Sequence, residues 1–252
     1  RFRYGLPEKI GGWAKVTSDA LLGAARGIIT WFSLDGDQYS VTGTNKKLYV
    51  YQNGAWYDIT PIRSASASIT DFTTTDTSTT VTVTDAAHGA IEGDFVTISS
   101  VSGAANGIPA ADLEGEFEIG IVTDANNYDI TAKAAATSTG AATVTGTADY
   151  QINTNPATSV LGYGWGTGPW GGVTGGPGWS TSRASLAAPN SVELDSGKWS
   201  LDNWGEDVLA QQLNGGLYYW DTSASTTTVQ RAVVTTVSAA PTSSRFMMVS
   251  GT

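Results

Sequence analysis

The residues that could do chemistry are few, and the single histidine is the first of them. His88 stands in the sequence Ala-Ala-His-Gly at 86–89, which is a turn context. A chain with one His and no Cys cannot build a zinc site from three His or from Cys and His ligands. The sequence also lacks a Gly-x-Ser-x-Gly nucleophile elbow and a Gly-x-x-x-x-Gly-Lys-Thr phosphate loop. We therefore predict that His88 is not catalytic.

Carboxylates offer a second kind of chemistry, because pairs of Asp or Glu side chains hydrolyse sugars in glycosidases. Asp202, Glu206 and Asp207 cluster around Trp204. Glu206, however, occupies a position of an internal repeat that also carries a carboxylate in the other copy. A carboxylate repeated at one place caps a turn or contacts the neighbouring unit. We predict structural roles and no enzymatic activity, and a glycosidase acting through Asp202 or Glu206 is an alternative.

Two further carboxylates, Asp35 and Asp37, flank Gly36 with the spacing that begins a calcium loop. The other oxygen ligands that such a loop places at regular intervals are missing. Asp and Gly are also the residues that tight turns favour. We predict a plain turn at 35–37.

Aromatic side chains within a glycine-rich run offer binding rather than catalysis. Residues 162–179 read GYGWGTGPWGGVTGGPGW. Alternation of aromatic residues with Gly makes an adaptable contact surface. Two interpretations stay open: the rings cover the core of neighbouring strands, or they bind a sugar or a partner protein. The candidate contact residues are Tyr163, Trp165, Trp170 and Trp179.

Composition and charge limit the class of protein. The 252 residues include 14% charged residues and no Cys, and the net charge is −10. Without Cys there is no disulfide and no thiolate metal site. No apolar run reaches the length that spans a membrane. The negative charge argues against a general nucleic-acid-binding surface, which needs Lys and Arg.

A repeated hairpin organises the chain. Residues 208–213 and 217–220 predict two strands around Asn-Gly-Gly, because these residues tolerate the positive φ of tight turns. Residues 36–51 align with 205–220 without a gap, so that Leu-Tyr-Val-Tyr falls on Leu-Tyr-Tyr-Trp. Two Ser-Leu-Asp triplets precede the copies with a two-residue slip. A repeat of this size predicts a radial or stacked β architecture.

Further strands complete the predicted fold. Strands at 28–32, 39–42, 47–52 and 56–59 give a four-stranded antiparallel unit, which is the content of one propeller blade. From Ser64 onward Ser, Thr and Asp dominate, and short strands are predicted at 79–84, 95–98, 116–122, 127–131 and 142–145. Insertion of a domain into an exposed loop costs little closure entropy.

We therefore predict an all-β fold, a partial β-propeller of four-stranded antiparallel blades with an inserted small β-barrel or sandwich domain. Residues 1–65 hold the first blade, 66–150 the inserted domain, and 151–252 the Gly/Trp-rich loop, the second blade and the start of a third. We also expect the chain to be part of a longer protein.

Several motifs, taken in their order along the chain, resemble tail nozzle proteins of short-tailed bacteriophages. Residues 85–128 are similar to a β module that is inserted in phage structural proteins. The nozzle resemblance covers residues 1–63 and 160–252. The order of the motifs along the chain carries more weight than any one motif. The motifs are RFRYG at 1–5, EKIGGW at 8–13, LGAAR at 22–26, LYVY at 48–51, DITP at 58–61, GYGWG at 162–166 and WSLDNWGED at 199–207.

The resemblance implies a β-propeller protein of the virion tail that forms a hexameric ring. Genomic DNA would pass through its channel without sequence-specific binding, and an acidic lumen would repel the phosphates. Other tail proteins such as an adaptor or a fibre would be its partners. The resemblance implies no catalytic residue and no cofactor. A carbohydrate- or receptor-binding tail module is the second hypothesis.

Overall fold

The computed structural model describes residues 2–3, 6–7, 15, 17–154, 198–213, 215–225, 228–234 and 239–250. Almost all of its regular structure is β-strand, which confirms the all-β prediction. The paired strands of this part are antiparallel and form four sheets. The smallest sheet pairs β1 (Phe2–Arg3) with β2 (Leu6–Pro7).

The first four-stranded sheet has the order β3-β4-β5-β6, as the sequence predicts. Its turns are the predicted ones. Asn53 and Gly54 join the last two strands with φ values of 52° and 86°, and Ser33 closes the turn before β4 by accepting the N–H of Gly36 at 3.0 Å. The strands are β3 (Ala25–Phe32), β4 (Gln38–Thr44), β5 (Leu48–Gln52) and β6 (Ala55–Asp58).

The next eight strands form a separate sheet around its own apolar core. The order is β10-β9-β14-β7-β8-β12-β11, and β13 also pairs with β7. β10 and β11 lie at opposite ends of this order but are three residues apart in the chain, so the sheet curves around the core. The strands are β7 (Ile62–Thr74), β8 (Thr80–Asp85), β9 (Phe95–Ser99), β10 (Gly115–Glu118), β11 (Val122–Asp124), β12 (Asn127–Thr131), β13 (Gly140–Ala142) and β14 (Gly146–Gln151).

This sheet differs from the prediction in three places. The strand expected at 116–122 is two strands, because Ile119 leaves β10 and exchanges backbone hydrogen bonds with the 93–94 turn. The strand expected at 142–145 lies earlier, at 140–142. The long strand β7 and its partner β14 were not predicted at all. A single turn of helix, α1 (Ala110–Leu113), precedes β10.

The second four-stranded sheet has the order β15-β16-β17-β18 and contains the second predicted hairpin. A single 3-10 turn, Ser223–Ser225, follows its third strand. Residues 245–250, where the sequence predicts the start of a third blade, contain no strand, and Met247 and Val249 lie beside Ser200 and Asp202 of this sheet. The strands are β15 (Trp199–Trp204), β16 (Asp207–Gln212), β17 (Leu217–Trp220) and β18 (Val233–Val234).

The two four-stranded sheets stack face to face, with β3 and β15 running in the same direction. At the start of both strands Gly27 meets Trp199, whose carbonyl oxygen lies 2.7 Å from the Cβ that Gly27 lacks. At their end the Nε1–H of Trp31 donates to the carbonyl of Glu206 at 3.0 Å. The two sheets have the same strand order and the same orientation. The first sheet therefore contacts the second through one face of the repeated unit, and the second sheet contacts the first through the other face of that unit.

Strand pairing shifts the predicted repeat alignment by one residue in β4. Gly43 pairs with Leu48, whereas Gln211 pairs with Leu217, so the second turn is one residue longer. The gapless alignment is therefore correct for β5 and β17. Each residue of β4 corresponds to the β16 residue one position before the one that the gapless alignment assigns to it. The two Ser-Leu-Asp triplets are not equivalent, because 33–35 follow β3 and 200–202 lie inside β15.

Gly43 is the point of closest approach between the sheets. A Cβ at this position would lie 2.2 Å from Cγ of Trp199, a side chain that is buried and donates to the Thr44 carbonyl at 2.7 Å. We expect Gly43→Ala to destabilise the paired sheets by about 1–3 kcal/mol, the usual cost of overpacking a core. Urea denaturation measures this, and Gly103→Ala is the control, because nothing lies within 4 Å of its Cβ position. Equal midpoints would contradict the close approach.

Candidate interaction surface

The aromatic contact surface predicted from the glycine-rich run lies outside the described residues. Tyr163, Trp165, Trp170 and Trp179 all fall in 155–197. Their role stays a prediction. The surfaces that the structure does describe lie on the outer faces of the two stacked sheets.

The carboxylates near Trp204 make contacts that hold the fold. Glu206 Oε1 accepts the N–H of Leu34, in the turn after β3, at 2.6 Å, so it joins the two sheets. The alignment from strand pairing sets Gln38 of the first unit against Glu206, so this contact is not made by a carboxylate repeated in both units. Asp207 accepts the hydroxyl proton of Tyr219, and this hydrogen bond raises the pKa of Tyr219 to about 12.

His88 is buried in the inserted domain, where its ring contacts the rings of Tyr128 and Tyr150. Its Nδ1 accepts the N–H of Ala90 at 3.0 Å, and its Nε2 lies 3.1 Å from the carbonyl oxygen of Asp124. The proton therefore belongs on Nε2, which donates to that carbonyl. Both nitrogens of the ring are used within the fold.

A cluster of charges joins the inserted domain to the first sheet. Lys47 Nζ lies 2.7 Å from Asp58 of the same sheet and 2.5 Å from Glu116 of β10, and the Lys47 side chain is only 4% exposed. Gln151 donates to the other oxygen of Glu116 at 2.7 Å. Burial would raise the pKa of Asp58, but Lys47 and Arg231 outweigh burial and hold that pKa below its usual value.

The outer face of the second sheet forms an open apolar groove of about 710 Å³. Trp204, Leu209 and Leu217 form its floor, and residues 247–250 form one side. Trp204 is 55% exposed although it belongs to a strand of the sheet.

Side-chain hydrogen bonds hold the C-terminal segment, residues 244–250, on that face. Gln211 Nε2 donates to the carbonyl of Ser244 at 2.6 Å, Ser200 Oγ donates to the carbonyl of Met247 at 2.6 Å, and Asp202 Oδ2 accepts the N–H of Val249 at 2.8 Å. The segment therefore covers the Ser200 end of β15 and leaves the Trp204 end open.

The outer face of the first sheet is also apolar. Ile28 and Phe32 of β3 are 68% and 70% exposed. On the same face Tyr51 packs against Trp56, with ring centroids 5.3 Å apart. The sequence analysis missed this surface, although β3 carries apolar residues at successive positions. Such a pattern indicates a strand that is covered on both faces.

The described ranges contain no metal-binding cluster and no membrane-spanning helix. No group of three or more His, Cys, Asp or Glu side chains there is arranged to hold a metal ion. No helix in this part of the chain is long and apolar enough to cross a membrane.

The chain has a low structural similarity to a phage protein and matches no known family model. The sequence matches no protein-family model and no curated protein. Among solved structures, the chain is similar to the phage phi92 endosialidase, with a TM-score of 0.31 and 16% sequence identity. The match covers 81% of this chain and 29% of the endosialidase. These values lie too low to carry an argument about activity or assembly.

Proposed function

We propose that this chain is a structural protein of a bacteriophage tail, forming a nozzle or hub that conducts or retains DNA. The face-to-face stacking of two four-stranded sheets in the same orientation is the observation that carries the proposal. It matches the propeller that the resemblance to tail nozzle proteins implies. Its place is the virion tail, and its neighbours are further tail proteins such as an adaptor or a fibre.

The proposal includes a homo-oligomeric ring, a hexamer in the nozzle resemblance. Two apolar outer faces on one chain are surfaces that assembly would bury. A net charge of −10 in each copy would give the ring a strongly acidic field, which disfavours adhesion of DNA phosphates to its channel.

Electron microscopy of the purified, concentrated protein tests this function. We expect ring-shaped particles with a central channel. Particles without a channel at every concentration would contradict a nozzle.

The proposal also holds that the chain is not an enzyme. Its support is that Glu206 and Asp207 are engaged in contacts of the fold. Hydrolysis of any polysaccharide in a panel, abolished by Glu206→Gln in a folded variant, would contradict it.

Receptor or carbohydrate binding is the second candidate function. The exposed ring of Trp204, beside a groove, is a surface on which a sugar ring can stack. Binding on a glycan array that Trp204→Ala or Trp165→Ala removes would favour this candidate.

A further inference from the structure

The two faces that meet between the sheets each have an equivalent face on the outside of the other sheet. The first sheet uses one face of its four strands, and the second sheet uses the opposite face, because the two are stacked in the same orientation. At the centre the ring of Trp220 lies edge-on to Trp31 and Tyr39, with centroids 6.5 and 6.0 Å apart. Each sheet thus keeps an outer face equivalent to the face that its counterpart buries. On the second sheet residues 244–250 cover the Ser200 side of this face and leave Trp204 exposed.

The groove of the second sheet is the counterpart of the face that the first sheet buries. Strand pairing aligns Trp31 with Trp204, because these residues hold the same place opposite the second strand. It aligns Leu48 with Leu217 on the third strand. In the first sheet Trp31 and Leu48 are buried by the second sheet, whereas Trp204 is exposed.

The outer face of the first sheet is the counterpart of the face that the second sheet buries. Tyr49 and Tyr51 align with Tyr218 and Trp220, so aromatic residues stand at the same two places. Ile28 aligns with Leu201, which packs against the core between the sheets, but Ile28 itself is 68% exposed.

We propose that copies of this chain associate head to tail, with the outer face of the first sheet of one copy filling the groove of the next. At the open Trp204 end the contact repeats the one inside the chain, so Trp204 meets Tyr51 of the second copy as Trp31 meets Trp220. This inference rests on the proposed oligomer and names the surface that would build it.

The occupant of the groove is a second copy because the chain itself carries both halves of the contact. Each copy offers one groove and one complementary face, and the two are on different sheets. Such a head-to-tail contact closes into a ring when the rotation between copies allows it and continues as a fibre when it does not. The C-terminal segment leaves the Trp204 end of the groove open for this contact.

Sedimentation velocity over a range of concentrations tests the contact. We expect the mean mass of the wild-type chain to rise with concentration, and both Trp204→Glu and Ile28→Glu to weaken association at least tenfold. Leu34→Glu is the control with the same new charge, because Leu34 is 95% exposed in a turn outside both faces. Circular dichroism and melting temperature establish that each variant is folded.

Mixing the two variants gives the decisive result. Trp204→Glu retains an intact outer face and Ile28→Glu retains an intact groove, so an equimolar mixture forms dimers but no larger species. A wild-type chain that is monomeric at every concentration, a Trp204→Glu variant that associates like wild type, or a mixture without dimers would each overturn the inference.

The outcomes separate this inference from the proposed function. Rings with a channel that persist in Trp204→Glu would overturn the head-to-tail surface and leave the nozzle standing. If the equimolar mixture of the two variants forms only dimers but the wild-type chain forms fibres without a channel, the head-to-tail surface stands and the nozzle function is overturned.

Discussion

Trp220→Ala is expected to lower the free energy of unfolding of the paired sheets by about 3–5 kcal/mol, the usual cost of truncating a buried aromatic residue. Trp220 is 1% exposed and lies between the two sheets against Trp31 and Tyr39. Its Nε1–H also donates to the carbonyl of Gln230 at 3.0 Å. The substitution therefore opens a cavity between the sheets and removes the donor to the Gln230 carbonyl.

Urea denaturation followed by Trp fluorescence measures this loss selectively, because residues 62–151 of the inserted domain contain no Trp. Trp204→Ala is the matched control, since it removes the same side chain from the other face of the same sheet. At low protein concentration we expect it to cost about 1 kcal/mol or less, as exposed substitutions do. Equal losses in the two variants would mean that the sheets do not stack through the Trp220 face.

Lys47→Met is expected to lower stability by about 2–3 kcal/mol and to loosen the inserted domain from the first sheet. Removing one partner of a buried ion pair costs about 3–5 kcal/mol, because the remaining charges stay buried without compensation. The expected loss is smaller here because the Glu116 side chain is 35% exposed and partly solvated. The measurement is urea denaturation followed by circular dichroism, which reports on both parts of the chain.

Lys46→Met is the control for this junction. Lys46 is the neighbouring residue and pairs with Glu118 at 2.5 Å, but the two side chains are 25% and 45% exposed. Exposed ion pairs contribute about 0–1 kcal/mol. A loss as large as that of Lys47→Met would contradict a buried junction.

The Lys47 effect is also expected to depend on pH. The pKa of Asp58 is held below its usual value, so its contribution is present above the ordinary carboxyl pKa of about 4 and is lost as pH falls through the lowered pKa. The stability difference between wild type and Lys47→Met should therefore shrink below about pH 4. A stability difference between the two proteins that stays constant down to pH 2 would show that the Lys47 effect does not depend on the Asp58 carboxylate.

The sequence predicted the hairpins well because their turns depend on local chemistry. Asn53 and Gly54 adopt the positive φ that these residue types allow, and the strands on either side follow. The inserted strand β7 was missed because Ile62–Thr74 is built largely from Ser, Thr and Ala, which give no strong alternation. Its extended form depends on pairing with the predicted neighbour β8 and also with β13 and β14, which are more than 60 residues further along the chain than its first residue.

The candidate surfaces were less predictable because they arise from the direction in which the sheets stack. Local pattern singled out Glu206 as a structural carboxylate, but it did not reveal that Trp204 and Leu217 would share a groove. Trp204 and Leu217 lie on the face that Trp31 and Leu48 occupy in the first sheet, and the order in which the two sheets stack decides that this face stays outside. The Ile28 and Phe32 surface was signalled only by apolar residues on both faces of β3.

The two ends of the inserted domain lie side by side, because Ile62 at the start of β7 pairs with Gln151 at the end of β14. The domain is therefore exchangeable as a cassette, since any module whose termini are one strand spacing apart, about 5 Å, fits the same connection. Lys47 sets a second requirement, because its ammonium group is buried at the seam. A grafted module needs an acidic side chain that reaches it, or the host sheet needs an apolar residue at position 47.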